Sequence, residues 1–372
     1  MVFRILIVTF ILSLLSDIYL WYSVAGHYPA PWRYAHWLAP AVLCSLVLLR
    51  ASGFSAPWVF VLIICIFLVA YIPRWFHAAF VLVQLPRTGI VVRAGLVAVI
   101  LCGFIFGWRH LVVRPVSIAC RHLPASFQGY RIVHISDLHI GTYAAAPHMV
   151  DKIVEQVNAQ CPDLIVFTGD IVNLSSDELP RFLPTLSRLH ATDGIISILG
   201  NHDYCTYGAH DARRPPHVQT RDLVAMQRQM GWQVLLNEHV VVRHRSDSIA
   251  ILGIENGGKP PFPQRADLPR AMEGLHTGTF KILLSHDPSF WRQAVAGHTD
   301  IALTLSGHTH AMQLRIGNHS PSAFIYPEWG GLYSHEGGQH LYVSTGTGSN
   351  VPFRLGAWPE IDVITLTGAD AR

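Results

Sequence analysis

The chain has 372 residues, enough for two or three domains, and 51% of them are hydrophobic while only 14% are charged. A formal net charge of +3 without a Lys/Arg cluster leaves no electrostatic footprint for nucleic acid. The six cysteines, Cys44, Cys65, Cys102, Cys120, Cys161 and Cys205, include no C-x-x-C pair and read as free thiols rather than a disulfide framework.

The shortage of charge is concentrated in residues 1–111. Ile5 to Ala25 is nearly uncharged and long enough to span a bilayer. Asp17 interrupts it, either as an interfacial or helix-paired carboxylate or as a functional intramembrane group. Further candidates run from Tyr34 to Leu49, Pro57 to Pro73 and Ile90 to Trp108, the last with Arg93 near its start. Trp32, Trp37, Trp58, Trp75 and Trp108 sit near the ends, as an interfacial belt does. The pattern predicts an all-α membrane domain of about four transmembrane helices in a multi-pass protein of the cell membrane. A cleaved signal peptide does not fit a run this long followed by further spans. Flanking arginines are Arg4, Arg50, Arg109, Arg114 and Arg121 on one side, and Arg33, Arg74, Arg87 and Arg93 on the other. That near-balance leaves orientation open, and the unpaired cysteines lean the large domain toward the cytosol.

Residues 112–372 have a different texture: short apolar strands, polar helices and Gly/Pro-rich turns, as in an α/β domain. Arg131 to Ile135 reads as a buried strand that runs into Asp137-Leu138-His139. Residues two apart in an extended chain face the same side, which predicts that Asp137 and His139 converge. Pro147 to Gln160 has helical spacing, and Asp163 to Asp170 is a second strand ending in a carboxylate. Asp177 to His190 is predicted helical, shortened or bent by Pro180 and Pro184. Gly194 to Asp203 is a third strand with a polar ending, residues 207–217 a loop, and Thr220 to Met230 a helix. Strands follow at Val234 to Leu236, Val240 to Val242 and Ile249 to Gly253. Phe280 to His286 and Ile301 to His310 end in histidines, and strands at Leu341 to Ser344 and Ile361 to Leu366 close the domain.

Five strand ends therefore carry Asp137/His139, Asp170, Asn201/His202, His286 and His308/His310, each beside a turn residue (Gly141, Gly169, Gly200, Pro288 and Gly307). Open α/β sheets bind ligands beyond the carboxyl ends of their strands, and carboxylate plus imidazole is a donor set for divalent metal. Taken singly, an Asp-x-His pair or a lone histidine is more often a satisfied core residue than a ligand. Five polar endings on apolar strands in one domain are not accounted for in that way.

These blocks, Asp137-Leu-His139, Gly169-Asp-Ile-Val-Asn173, Gly200-Asn-His-Asp203, His286 and Gly307-His-Thr-His310, resemble in type and order those of the calcineurin-like metallophosphoesterase superfamily, over roughly residues 128–367. The tail Pro352 to Ile361 is similar to the bacterial branch that includes YaeI and YkuE. The resemblance implies a four-layer α/β/β/α sandwich of two mixed sheets in residues 112–372, following the membrane region in 1–111. It also implies two divalent ions (Mn²⁺, Zn²⁺ or Fe), one held by Asp137, His139, Asp170 and His310. The other would take Asp170, Asn201, His286 and His308, with Asp170 bridging and His202 acting on the leaving oxygen or orienting the phosphate. The expected activity is hydrolysis of a phosphodiester, phosphomonoester or pyrophosphate by a metal-bridging hydroxide. Two divalent ions and two aspartates leave about +2, which suits a phosphate group.

Two departures bear on the substrate. In protein Ser/Thr phosphatases an aspartate stands where Asn173 does and an arginine where Leu174 does, which argues against a protein phosphatase. Ala311-Met312 replaces two glycines usual in the bacterial branch and crowds that loop. The apolar spans raise a lipid-linked substrate such as UDP-diacylglucosamine, which some relatives cleave, against the spans being only an anchor. The alternative to an enzyme is a non-catalytic membrane scaffold or binding protein built on such a domain. Loss of ligands would mark it, and all seven ligand positions are present. A transporter or sensor in residues 1–111 has thin support, since the spans lack a rich set of polar groups and Asp17 is the main exception. Oligomeric state is left open.

Overall fold

The computed structural model describes residues 2–52, 57–208 and 213–368. Part of the predicted 207–217 loop, residues 209–212, lies outside the described residues. Contacts divide the chain into one unit ending at Ile105 and another beginning at Phe106.

The first unit is helical: α1 Val2–Ser23, α2 Ala30–Ala35, α3 Leu38–Ala51, α4 Pro57–Ile66, a π-helical turn Phe67–Tyr71, α5 Ile72–Leu82 and α6 Pro86–Ile105. Among the described residues, four stretches are long and apolar enough to cross a membrane: Thr9–His27, Ala30–Leu49, Val61–Leu82 and Pro86–Arg109. Each overlaps one predicted span. The third continues past Pro73, where the sequence predicts its end. Proline lacks an N–H, and its ring crowds the carbonyl four residues before it. The wider π turn immediately upstream accommodates that defect, so the helix runs on to Leu82. Asp17 is a helix-paired carboxylate: Arg74 Nη1 donates to its Oδ1 at 2.9 Å, and both side chains are buried.

The second unit contains two six-stranded sheets. In chain order the strands are β1 Val112–Cys120, β2 Arg131–Ile135, β3 Leu164–Phe167, β4 Ile195–Ser197, β5 Gln233–Val234, β6 Glu238–His244, β7 Asp247–Gly253, β8 Phe280–Leu284, β9 Leu303–Ser306, β10 Gly331–His335, β11 Gln339–Val343 and β12 Glu360–Gly368. The sheet orders are β1-β12-β2-β3-β4-β5 and β10-β11-β9-β8-β7-β6. In the first, β12 is parallel to β1 and antiparallel to β2, and β2 to β5 are parallel. In the second, β7, β8, β9 and β11 are parallel, with antiparallel β6 and β10 at the edges. Pro115 is tolerated within β1 because β1 is an edge strand.

Side-chain alternation builds the layers. Ile132, Leu164, Val166 and Ile196 face Ile249, Ile251, Ile282 and Leu305 between the sheets. The opposite face of the first sheet, with Val133, Ile165 and Phe167, packs on α7 His148–Asn158 through Met149, Val150, Ile153, Val154 and Val157. On the other face of the second sheet, Ala250, Leu252, Leu283 and Leu341 pack with Trp291, Val295 and the Leu268 and Ala271 side chains. The result is a four-layer sandwich of two mixed sheets between helices. The predicted helix over Asp177 to His190 breaks at its prolines. Short 3₁₀ turns at Ser176–Glu178 and Pro180–Phe182 lead into a single turn, α8 Leu183–Leu186. The remaining helices are α9 Pro216–Gln229 and α10 Leu268–Met272.

Candidate metal centre

The loops after β2, β3, β4, β8 and β9, all at carboxyl ends of parallel strands, bring the predicted ligands together. Asp137 and His139 do not converge by strand alternation. The strand stops at Ile135, and both residues adopt left-handed backbone, φ 53° and 46°. Leu138 between them is buried in the core. The β2 and β3 loops are joined through the main chain: Asp137 N–H donates to Gly169 O at 2.9 Å, His139 N–H to Asp170 O at 3.0 Å and Ile140 N–H to Ile171 O at 2.9 Å. Asp170, His308 and His310 are also left-handed, with φ of 59°, 73° and 49°. Each such residue costs on the order of 1 kcal/mol, strain of the kind that persists where a site over-determines the backbone. Close approach is made by two glycines. A Cβ on Gly200 would collide with the Asp170 carboxylate, and one on Gly307 with Ser136 and the Asp137 carboxylate.

Around one point, His139 Nε2 and His310 Nε2 lie 3.0 Å apart, and His310 Nε2 lies 3.2 Å from Asp137 Oδ1. Around a second, Asn201 Oδ1 lies 3.1 Å from His286 Nε2 and 2.8 Å from His308 Nδ1. Asp170 stands between them, its Oδ2 3.7 Å from His139 Nε2 and 3.2 Å from His286 Nε2. Its other oxygen accepts the His202 N–H at 2.8 Å, so a single oxygen faces both sets. Donor atoms of Asp137, His139 and His310, of His139, Asp170 and His202, and of Asp137, Asp170 and His286 each lie within 4.8 Å of one another.

Electrostatics tests whether a cation fits. Burial drives the His139 imidazole down to about 3 and His308 to about 4, leaving neutral rings with lone pairs to donate. Burial also pushes the Asp137 carboxyl up to about 6, against the pull of His286. On His286 burial opposes the charge, but Asp170 and Asp137 outweigh it and carry the imidazole to about 10. Burial likewise acts to raise Asp170, and His286 and His202 overcome it, holding the carboxyl well below the usual range. The buried carboxylates thus draw a proton onto one ligand-type ring, and two neutral nitrogens are turned toward each other at 3.0 Å. Oxygen and imidazole donors without thiolate fit divalent ions such as Mn²⁺, Zn²⁺ or Fe²⁺.

The calcineurin-like phosphoesterase family model matches residues 130–312. The Bacillus subtilis metallophosphoesterase YkuE is 32% identical over 256 residues, covering 66% of this chain and 81% of that protein. The chain belongs to the calcineurin-like phosphoesterase family. The Bos taurus transmembrane protein with metallophosphoesterase domain is 30% identical over 267 residues, 69% of this chain and 57% of that protein. The chain spans the same share, 57%, of the Danio rerio counterpart. The UDP-2,3-diacylglucosamine pyrophosphatase LpxG of Chlamydia trachomatis is 28% identical over 290 residues, 64% of this chain and 85% of that protein.

Several residues of this phosphoesterase domain support the candidate ligands and were not singled out in the sequence. Asp203 is fully buried: its Oδ2 accepts the N–H groups of Asp170 at 2.7 Å and Gly200 at 2.9 Å, and its Oδ1 those of Ile171 at 2.9 Å and Val172 at 3.3 Å. It clamps the Asp170 loop to the Asn201 loop. Arg354, also fully buried, donates to Thr345 O at 2.8 Å, Ala357 O at 2.9 Å and Gly348 O, and lies 3.2 Å from His310 Nδ1. His308 Nε2 meets Tyr326 Oη at 2.9 Å, and Asn201 Nδ2 donates to Tyr207 Oη at 3.1 Å. Such outer contacts fix the orientation of ligand groups. Asp203 and Arg354 lie inside the sequence blocks given above, but their roles need the fold. The Asn173 side chain does not serve His202. Its amide donates to Thr142 Oγ1 at 2.9 Å, while its main-chain carbonyl accepts from His202 Nδ1 at 2.5 Å.

Proposed function

We propose that the protein is a membrane-anchored, two-metal phosphoesterase that hydrolyses a phosphodiester, phosphomonoester or pyrophosphate bond. The observation that carries this is Asp170 Oδ2 facing His139 and His286, the inner members of two donor sets. Asp137, His139, Asp170 and His310 would hold one ion, and Asp170, Asn201, His286 and His308 the other. Two such ions supply Lewis acidity toward a phosphoryl group and lower the pKa of water. The chain's own part is to position them and to handle the leaving-group proton. His202 is suited to proton delivery. With Nδ1 tied to the Asn173 carbonyl, its Nε2 is the nitrogen left to give a proton to the departing oxygen. A main-chain carbonyl in place of a carboxylate makes this an orienting contact rather than a charge partner.

The four apolar stretches support a multi-pass anchor, and the free thiols Cys120, Cys161 and Cys205 support a cytosolic catalytic unit. The narrowest substrate we infer is a lipid-linked nucleotide such as UDP-2,3-diacylglucosamine, the substrate in LpxG's name. The test uses the full chain in detergent, stripped of metal and then given Mn²⁺, Zn²⁺ or Fe²⁺. Substrates are bis-p-nitrophenyl phosphate, p-nitrophenyl phosphate and UDP-2,3-diacylglucosamine. Metal-dependent turnover of any of them is expected. No turnover by folded protein that binds two ions would refute the hydrolase, and turnover of the soluble esters alone would refute the lipid-linked version.

A further inference from the structure

The first unit contains a polar pocket that the phosphoesterase site does not use. Its volume is about 260 Å³, and its polar lining is Tyr28, Trp32, His36, Arg74, His77 and Arg93. The remaining lining is apolar. Tyr28 follows α1, Trp32 lies in α2 and His36 just after it, Arg74 and His77 are in the first half of α5, and Arg93 is in the first half of α6. At 1.5 Å per residue, Arg93 lies about 10 Å from the start of α6 and Arg74 about 12 Å from the end of α5, against about 15 Å to the middle of the hydrocarbon core, so both meet a headgroup only by extending along the helix toward the surface. Trp32 and Tyr28 are 71% and 43% exposed, as aromatic residues at a membrane interface are.

Two arginines meet one counter-charge. Arg74 is paired with Asp17 at 2.9 Å, its Nη2 donates to His36 O at 3.0 Å, and Asp17 is not part of the pocket lining. Arg93 forms no hydrogen bond or ion pair with any described residue. One positive charge is therefore left uncompensated. The unused polar atoms are also suited to an anion. Arg74 Nε has no partner, and His77, only 4% exposed, has no partner on either ring nitrogen. The His77 ring is fixed in place by α6, where a Cβ on Gly89 would come within 2.7 Å of its Cδ2. Buried donors without partners are costly, and ionisable groups at membrane depth are kept where they serve a ligand or a pathway.

We propose that this pocket binds the phosphate of an anionic phospholipid, with Arg93 supplying the charge and His77 a buried hydrogen bond. A phosphodiester headgroup carries the single negative charge that the pocket lacks. The experiment is native mass spectrometry of the full chain equilibrated in detergent with equimolar phosphatidylglycerol and phosphatidylcholine. Wild type is expected to retain one phosphatidylglycerol in preference to phosphatidylcholine. Arg93→Gln should retain about tenfold less, the effect of losing one charge-assisted hydrogen bond, and Arg93→Lys should restore most of it. A further arm adds excess inorganic phosphate. Displacement of the lipid means that the pocket reads phosphate itself, and persistence means that it reads the headgroup on its lipid; either upholds an anion site. Equal retention of the two lipids by wild type, or undiminished phosphatidylglycerol on a monodisperse Arg93→Gln protein, would overturn the proposal.

Discussion

Asp170 and His202 are joined by one hydrogen bond, His202 N–H to Asp170 Oδ1 at 2.8 Å, yet they have separable roles. Asp170→Asn removes the charge between both donor sets, so bound metal should fall toward zero for both ions. His202→Ala removes no ligand assigned here, so metal should stay at two per chain while turnover drops roughly 10²- to 10⁴-fold. Metal content by mass spectrometry beside the rate separates the two, and metal loss in His202→Ala would show that His202 is itself a ligand. Asp203 makes a different kind of contribution. Each of its oxygens accepts two main-chain N–H groups, and an amide in its place would aim an NH₂ at two donors. Asp203→Asn should lower metal affinity about 10- to 100-fold with every ligand intact, read by competition with a chelator of known affinity. Unchanged affinity would reduce Asp203 to a bystander.

At the scale of elements, the strands that carry the candidate ligands were legible because each pairs an apolar run with a polar ending. How those endings meet was not. Period-two alternation put Asp137 and His139 on one side of a strand, whereas left-handed backbone and loop-to-loop hydrogen bonds turn them inward. Asp and His tolerate left-handed backbone better than most residues, but which of them adopt it is decided by packing distant in sequence. The order of strands within each sheet and the edge strand β10 were likewise invisible, since both depend on partners distant in sequence. The Ala311-Met312 pair shows the cost of such a turn: His310, Ala311, Met312 and Gln313 all have φ between 46° and 58°. Met312 is 43% exposed, so its side chain gives up little packing. Met312→Gly should therefore raise stability by up to about 1 kcal/mol, less the entropy glycine adds to the unfolded chain. A thermal shift upward at unchanged metal content is the expected result, and a downward shift would mean that the Met312 side chain supports the loop.

For the whole molecule, the side of the membrane that holds the catalytic unit decides which substrates can reach it, and the flanking arginines are too evenly divided to settle it. Cysteines provide a direct measurement. Within the second unit Cys120 and Cys205 are buried, while Cys161 is exposed. Cys161 precedes β3, at the opposite end of that strand from Asp170, so a label there leaves the ligand loops untouched. A membrane-impermeant maleimide should label Cys161 in lysed cells and not in intact ones, with Cys161→Ser giving the background from Cys44 and Cys102. Labelling in intact cells would place the unit outside the cytosol. The substrate would then have to be sought among phosphoesters of the outer leaflet or the space beyond it.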